Sequence, residues 1–201
     1  GMFGVRNKYY FGWMCSEGAN NVWYAGFDGF NDKGEPIGWD AACNLDILGF
    51  ELAGDVSSAS KAWNKKTSNW LSRYVYMRTG GNLLAVYALS AFWHGFYPGY
   101  YMFFLTIPLY TFCDRLGKKK ISPYFSNSPL SPYSIACTML NACVLCYTIS
   151  SFIMLANSWS WDLWKSFYFF GHVIGIVSYG VLTILPMPPK KDGDKDKTKK
   201  A

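Results

Sequence analysis

The sequence predicts an all-α fold, a polytopic membrane helical bundle. Three observations carry this. Hydrophobic residues make up 51% of the 201-residue chain and charged residues only 16%, against roughly 25% charged in an average soluble domain. After Asn82 the apolar residues fall into long blocks separated by polar stretches, as expected of helices in a bilayer. The two densest lysine clusters, Lys118-Lys119-Lys120 and the six lysines after Pro189, flank a pair of these blocks.

Residues 1–82 read as short interfacial or embedded helices and loops. Tyr9-Tyr10-Phe11-Gly12-Trp13 suits a short helix at the membrane interface, where Trp and Tyr concentrate. Asn31-Asp32-Lys33-Gly34-Glu35-Pro36 reads as a turn. Residues 57–79 predict one amphipathic helix capped by Ser57 or Ser58, with Trp63, Trp70, Leu71, Tyr74 and Val75 at helical spacing. Lys65, Asn69, Ser72 and Arg73 fall on the opposite arc, and Asn64 on the apolar side.

Residues 83–112 form the longest apolar block. As one helix it would run about 45 Å, well beyond a hydrocarbon core of roughly 30 Å, so a break is expected at Pro98-Gly99. Residues 113–132 read as a basic loop with Ser-Pro turns. Residues 133–186 hold two transmembrane helices, over 133–155 and 167–185, ended by Pro186, Pro188 and Pro189. Residues 187–201 read as a disordered basic tail.

The loop and tail flank a pair of spans, so both belong on one side, which the positive-inside rule makes cytosolic. Lys197 and Lys199 stand fifth and third from the C-terminus, a spacing similar to the dilysine address of endoplasmic-reticulum membrane proteins; a solvated charge run accounts for it equally well. The expected location is thus the endoplasmic reticulum membrane, multi-pass, with the C-terminus cytosolic. The chain opens abruptly at Gly1-Met2-Phe3-Gly4-Val5-Arg6 without a signal-peptide core, so upstream sequence is expected.

The same residues exclude some partners. Asp192, Asp194 and Asp196 interleave the tail lysines, and no aromatic or Arg accompanies them, which argues against nucleic acid. Cys137, Cys143 and Cys146 lie in an apolar run and read as small hydrophobes. Cys143-x-x-Cys146 has no second pair or nearby His, so no metal is expected.

The chain has two histidines. His94 sits in Ala91-Phe92-Trp93-His94-Gly95-Phe96-Tyr97-Pro98-Gly99-Tyr100-Tyr101, and ionisable residues at membrane depth tend to mark function. Tyr87, Ser90, His94 and Tyr97 share one helical face. The competing reading is a structural histidine bonded to a backbone carbonyl beside the Pro98 break. His172, in Phe169-Phe170-Gly171-His172-Val173-Ile174, has no polar neighbours in sequence and reads as packing.

The His94 motif is similar to the signature of the membrane-bound O-acyltransferase (MBOAT) family, and within it to the lysophospholipid acyltransferase branch. Trp63-Asn64, Trp70-Leu71 and Tyr74-Val75-Tyr76 resemble that branch's other motif, and Trp39-Asp40, Asn44 and Glu51 its preceding segment. The close match spans residues 39–104. The Phe-Tyr-x-Asp-Trp-Trp-Asn pattern of the sterol and diacylglycerol branch is absent.

The resemblance implies His94 as the catalytic histidine and Asn64 as its partner. It implies acyl-CoA as co-substrate, a lysophospholipid as acceptor, the bilayer as medium, and neither a metal nor another cofactor. Family members are usually more than twice as long, with further helices before the matching region. The fold expected is therefore the C-terminal part of a larger MBOAT fold, partnered by those N-terminal helices and incomplete or inactive alone.

A neutral imidazole can take the proton of an acceptor hydroxyl, a step worth ~10²–10⁴-fold. Asn64 can donate to a thioester oxyanion or orient the hydroxyl, and the residues leave both open. Tyr87 and Ser90 are candidates to orient the imidazole, Trp93 and Tyr97 to bind substrate. Lys65, Lys66 and Arg73 are candidates to meet the CoA phosphates, or form a solvated face. Two other functions fit the same residues: a protein or peptide O-acyltransferase on this scaffold, or a truncated non-catalytic membrane subunit.

Overall fold

A computed structural model describes residues 2–126 and 128–189; the expected tail, from residue 190 onward, lies outside the described residues. Among the described residues all regular elements are helical. The turn at residues 31–36 forms as expected: Asn31 Oδ1 accepts the N–H groups of Lys33 and Glu35, each at 2.9 Å, and an isolated bridge pairs Phe30 with Pro36.

The first helix, α1 (Met2–Val22), is longer than the short interfacial helix expected. It leans on α2 (Ile47–Glu51) through the Arg6–Glu51 ion pair, 2.9 Å, and the Tyr10 hydroxyl, which donates to Glu51.

The single helix expected over residues 57–79 is instead three pieces: α3 (Val56–Ala62), α4 (Lys65–Leu71) and a π-helical turn, Ser72–Tyr76. The chain breaks at Asn64, which is left-handed at φ 50°, ψ 51°, a conformation Asn tolerates better than most residues. Segment 44–46 occupies the break, with Asp46 N–H donating to the Ala62 carbonyl (2.9 Å) and Lys65 N–H to the Asn44 carbonyl (2.8 Å). Neither Ser57 nor Ser58 caps α3; Asp55 does, accepting Ser58 N–H at 2.9 Å.

Helices α5 (Leu83–His94) and α6 (Pro98–Lys120) divide the long apolar block at the expected place. Gly95, at φ 115°, makes the turn where a side chain would be strained, and Pro98 opens α6, as suits a residue without an N–H. The basic loop expected from residue 113 begins later, because α6 continues about two turns beyond Phe112. Two of its three clustered lysines are tied down. Lys118 pairs with Asp55 at 2.7 Å, and Lys120 Nζ donates to the carbonyls of Thr183 (2.9 Å) and Leu185 (2.6 Å).

Helix α7 (Pro132–Met154) matches the first expected span and, among the described residues, is the one helix long and apolar enough by itself to cross a membrane. The second expected span is not straight. Helices α8 (Asn157–Ser166) and α9 (Phe170–Ile184) meet at 71° and pass the same test only together. Alone, the 15 residues of α9 cover about 22 Å, short of a roughly 30 Å core. Two consecutive left-handed residues, Tyr168 and Phe169 at φ 52° each, turn the elbow.

Helix α6 is the hub, packing against α3, α5, α7 and α9. On α7 and α9 the burial pattern is inverted relative to a water-soluble bundle. Thr148 and Ser151 of α7 are 0% exposed, whereas Leu140 is 63% and Ile176 of α9 is 62% exposed. Small polar groups bond between or along helices while large apolar side chains face outward, the arrangement lipid or further apolar protein tolerates and water does not.

Candidate active site

Asn64 sits at the N-cap position of α4 but makes no capping bond with its side chain. Asn44 does that work: its Oδ1 accepts Lys66 N–H at 2.9 Å. Its Nδ2 donates to Asn64 Oδ1 at 3.0 Å. The half-buried Asn64 amide is thus held at its carbonyl end by a second asparagine. Trp63, one residue earlier, is boxed by Tyr9, Tyr10, Trp13 and Phe50 at ring separations of 4.9–6.0 Å.

His94 ends α5, half-buried. Its ring stacks on Phe104 of α6 (5.2 Å) and meets Tyr100 of α6 (5.6 Å) and Phe152 of α7 edge-on or tilted (5.0 Å). Among the described residues no side chain or backbone carbonyl bonds to the imidazole, so the carbonyl-bonded structural histidine is not what the structure contains. Its nitrogens carry no internal duty.

The two motifs border one cleft. Lys66, Thr67 and Trp70 of α4 and Trp93 of α5 line an open space of about 310 Å³. The other expected residues are placed differently. The Tyr87 hydroxyl bonds Thr111 Oγ1 at 3.0 Å and Ser90 Oγ donates to the Val86 carbonyl at 2.8 Å, so neither holds His94. Tyr97 is exposed and its ring meets Tyr100 edge-on at 5.9 Å. Lys65 Nζ lies 3.7 Å from Cys43 Sγ, Lys66 Nζ reaches the Asp40 carbonyl at 3.5 Å, and Arg73 is exposed.

Sequence reasoning assigned no role to Tyr100, Phe104 or Asn44, and did not single out Phe152. The first two stand one and two turns after Pro98, so continuing the helical phase through the break would have found them. Phe152 comes from a different helix, and nothing in its own neighbourhood marks it.

Two carboxylates, Asp55 and Asp114, hold the start of α3, and Asp114 lies beyond the apolar block ending at Phe112. Asp114 Oδ2 accepts Val56 N–H at 2.8 Å. Burial pushes its carboxyl up to about 6, outweighing that bond. Burial also works to raise Asp55, but the Lys118 ammonium and Ser58 overcome it and hold Asp55 below the ordinary carboxylate range. Among the described residues Glu17, Asp40 and Cys43 have ligand atoms within 4.8 Å of one another. The thiol of Cys43 donates to the Leu45 carbonyl at 3.2 Å and the Lys65 ammonium stands beside it at 3.7 Å.

The fold is that of a helical, lipid-adapted protein, and a half-buried histidine in its apolar α5 is the kind of residue that tends to mark function in such proteins. The chain belongs to the membrane-bound O-acyltransferase (MBOAT) family, whose model matches residues 2–158. It is 34% identical over 197 residues to membrane-bound glycerophospholipid O-acyltransferase 2 of Gallus gallus, covering 96% of this chain and 37% of the relative. It is 34% identical over 188 residues to membrane-bound glycerophospholipid O-acyltransferase 1 of Homo sapiens, covering 92% and 37%. A lysophospholipid acyltransferase of Saccharomyces cerevisiae is 32% identical over 189 residues, covering 87% and 30%. The chain therefore spans about a third of the length of these relatives.

Proposed function

We propose that this chain is the C-terminal, motif-bearing part of a lysophospholipid acyltransferase of the endoplasmic reticulum membrane, with its C-terminus cytosolic. It transfers a fatty acyl group from acyl-CoA to the free hydroxyl of a lysophospholipid, with no metal or other cofactor. The single observation that carries the reading is the His94 imidazole, which bonds to no other described residue and whose ring lies 5.1 Å from that of Trp93, a residue lining the cleft that α4 borders. The names of the relatives supply the substrate class.

A neutral imidazole can act as a general base at pH 7. His94 takes the proton of the acceptor hydroxyl as its oxygen bonds to the thioester carbonyl carbon. The tetrahedral intermediate collapses by breaking the C–S bond, and His94 returns the proton to the departing thiolate. The products are a diacyl phospholipid and CoA. Tyr100, Phe104 and Phe152 shield the ring from water that would otherwise compete as nucleophile. Lys66, which lines the cleft, is the candidate in this reading to meet an anionic group of the donor.

The test uses microsomes expressing the full-length protein, labelled acyl-CoA and a panel of lysophospholipids. His94→Ala is expected to reduce transfer by about 10²-fold or more, and Asn64→Ala comparably. Undiminished acylation by His94→Ala rules the mechanism out. Transfer only to a peptide hydroxyl shifts the acceptor class, and no transfer to either acceptor removes the enzyme reading.

A further inference from the structure

The amide orientations at the α3–α4 break are decided by a backbone group. Lys66 N–H can only donate, so the Asn44 atom facing it at 2.9 Å is the carbonyl oxygen. The other end of Asn44 is then its NH₂, which needs an acceptor, so the Asn64 atom facing it at 3.0 Å is also an oxygen. This leaves the Asn64 NH₂ directed away from Asn44, and among the described residues it donates to nothing. A second bond, Lys65 N–H to the Asn44 carbonyl at 2.8 Å, holds the Asn44 backbone in the same register.

We propose that Asn44 is a positioning residue that locks Asn64 as a hydrogen-bond donor to the acyl carbonyl oxygen during transfer. The inference rests on the function proposed above and deepens it. It decides that Asn64 steadies negative charge on the thioester oxygen and does not accept from the incoming hydroxyl. Asn44 also takes over the capping of α4, which frees the Asn64 side chain from the work its N-cap position would impose.

The discriminating variant is Asn44→Asp in the full-length protein. A carboxylate still accepts Lys66 N–H and suits a helix N-terminus, so folding is retained. It has no NH₂ to offer Asn64. The Asn64 amide turns its own NH₂ toward the carboxylate and presents its carbonyl to the substrate. Turnover is expected to fall by about 10²–10³-fold, as for loss of one oxyanion donor, with KM values and melting temperature near wild type. In an Asn64→Ala background, Asn44→Asp is expected to have no further effect.

A spectroscopic arm separates this proposal from the choice of acceptor. A ¹³C-carbonyl oleoyl-CoA ketone analogue, with CH₂ replacing the thioester sulfur, is bound to each variant, and its carbonyl stretch is recorded by isotope-edited infrared spectroscopy. Wild type is expected to lower the stretch, with the shift lost in both Asn44→Asp and Asn64→Ala. The shift without transfer to any lysolipid keeps the positioning role and overturns only the acceptor. A shift that persists in Asn44→Asp, a wild-type protein without one, or turnover losses that multiply in the double variant overturn the proposal.

Discussion

The backbone N–H of Gly99 donates to the carbonyl of Leu155 at 2.8 Å, which seats the start of α6 against the end of α7. A Cβ at Gly99 would overlap the Ser151 carbonyl oxygen and come within 2.9 Å of the Leu155 Cα. Phe152, between those two residues of α7, has its ring 5.0 Å from that of His94. One glycine thus sets how closely the helix bearing Phe152 approaches the candidate catalytic ring.

Gly99→Ala is expected to push α7 away and loosen the aromatic box. Misplacement by about 1 Å costs on the order of 10²-fold in rate. Acyl transfer and melting temperature of the purified variant check this together. Wild-type values of both would show that the contact does not position the site.

Asp114 and Asp55 are expected to titrate with opposite consequences at one helix terminus. The Asp114 carboxyl, at about 6 in the folded protein, lies above the ordinary value near ~4, so the native state holds a proton that the unfolded chain releases. That contribution is complete below about pH 4 and is lost as pH rises through about 6. The Asp55 contribution is present above about pH 4 and is lost as pH falls through its lowered value. Asp114→Asn keeps an acceptor for Val56 N–H and cannot ionise. Its melting temperature relative to wild type is expected to be higher at about pH 7 than at about pH 4, and a pH-independent difference would refute this.

Lys120 carries the carbonyl end of α9. Lys120→Met leaves the Thr183 and Leu185 carbonyls without that donor and is expected to lower the thermal midpoint by roughly 2–4 °C. Lys120→Arg is expected to retain most of it. Thermal scans of both variants decide the matter, and equal losses would point to crowding at the site.

His172 joins three helices. Its Nδ1 meets the Tyr147 hydroxyl at 2.7 Å and its Nε2 meets Thr106 Oγ1 at 3.3 Å. The ring packs on Trp164 at 4.5 Å. His172→Phe strands the Tyr147 hydroxyl, a loss of roughly 1–3 kcal/mol, while Thr106 keeps its bond to the Met102 carbonyl and the proposed reacting groups are untouched. Stability is expected to fall while the pH–rate profile keeps its shape. A changed profile would give His172 a part in proton transfer.

Much of this architecture was legible in local sequence. The break before Pro98, the Asn31–Pro36 turn and the span at residues 133–155 follow from residue type alone. Proline lacks an N–H, Asn bonds its own following backbone, and an unbroken apolar run needs lipid or a core. Residues 57–79 misled because their periodicity is continuous, and only segment 44–46 shows why the helix must open at Asn64. The bend after Ser166 was hidden in the same way, since Tyr168 and Phe169 carry no composition signal for left-handed backbone.

His94 and Asn64 were singled out by the sequence because a lone imidazole in an apolar stretch, and motifs of that spacing, are distinctive in one dimension. How the two work depends on neighbours from remote segments. Phe152 reaches His94 from α7, and Asn44 turns the Asn64 amide from twenty residues upstream. The chemistry available at a site belongs to its residue types, but the direction of each hydrogen bond is set by whichever groups folding brings to its other end.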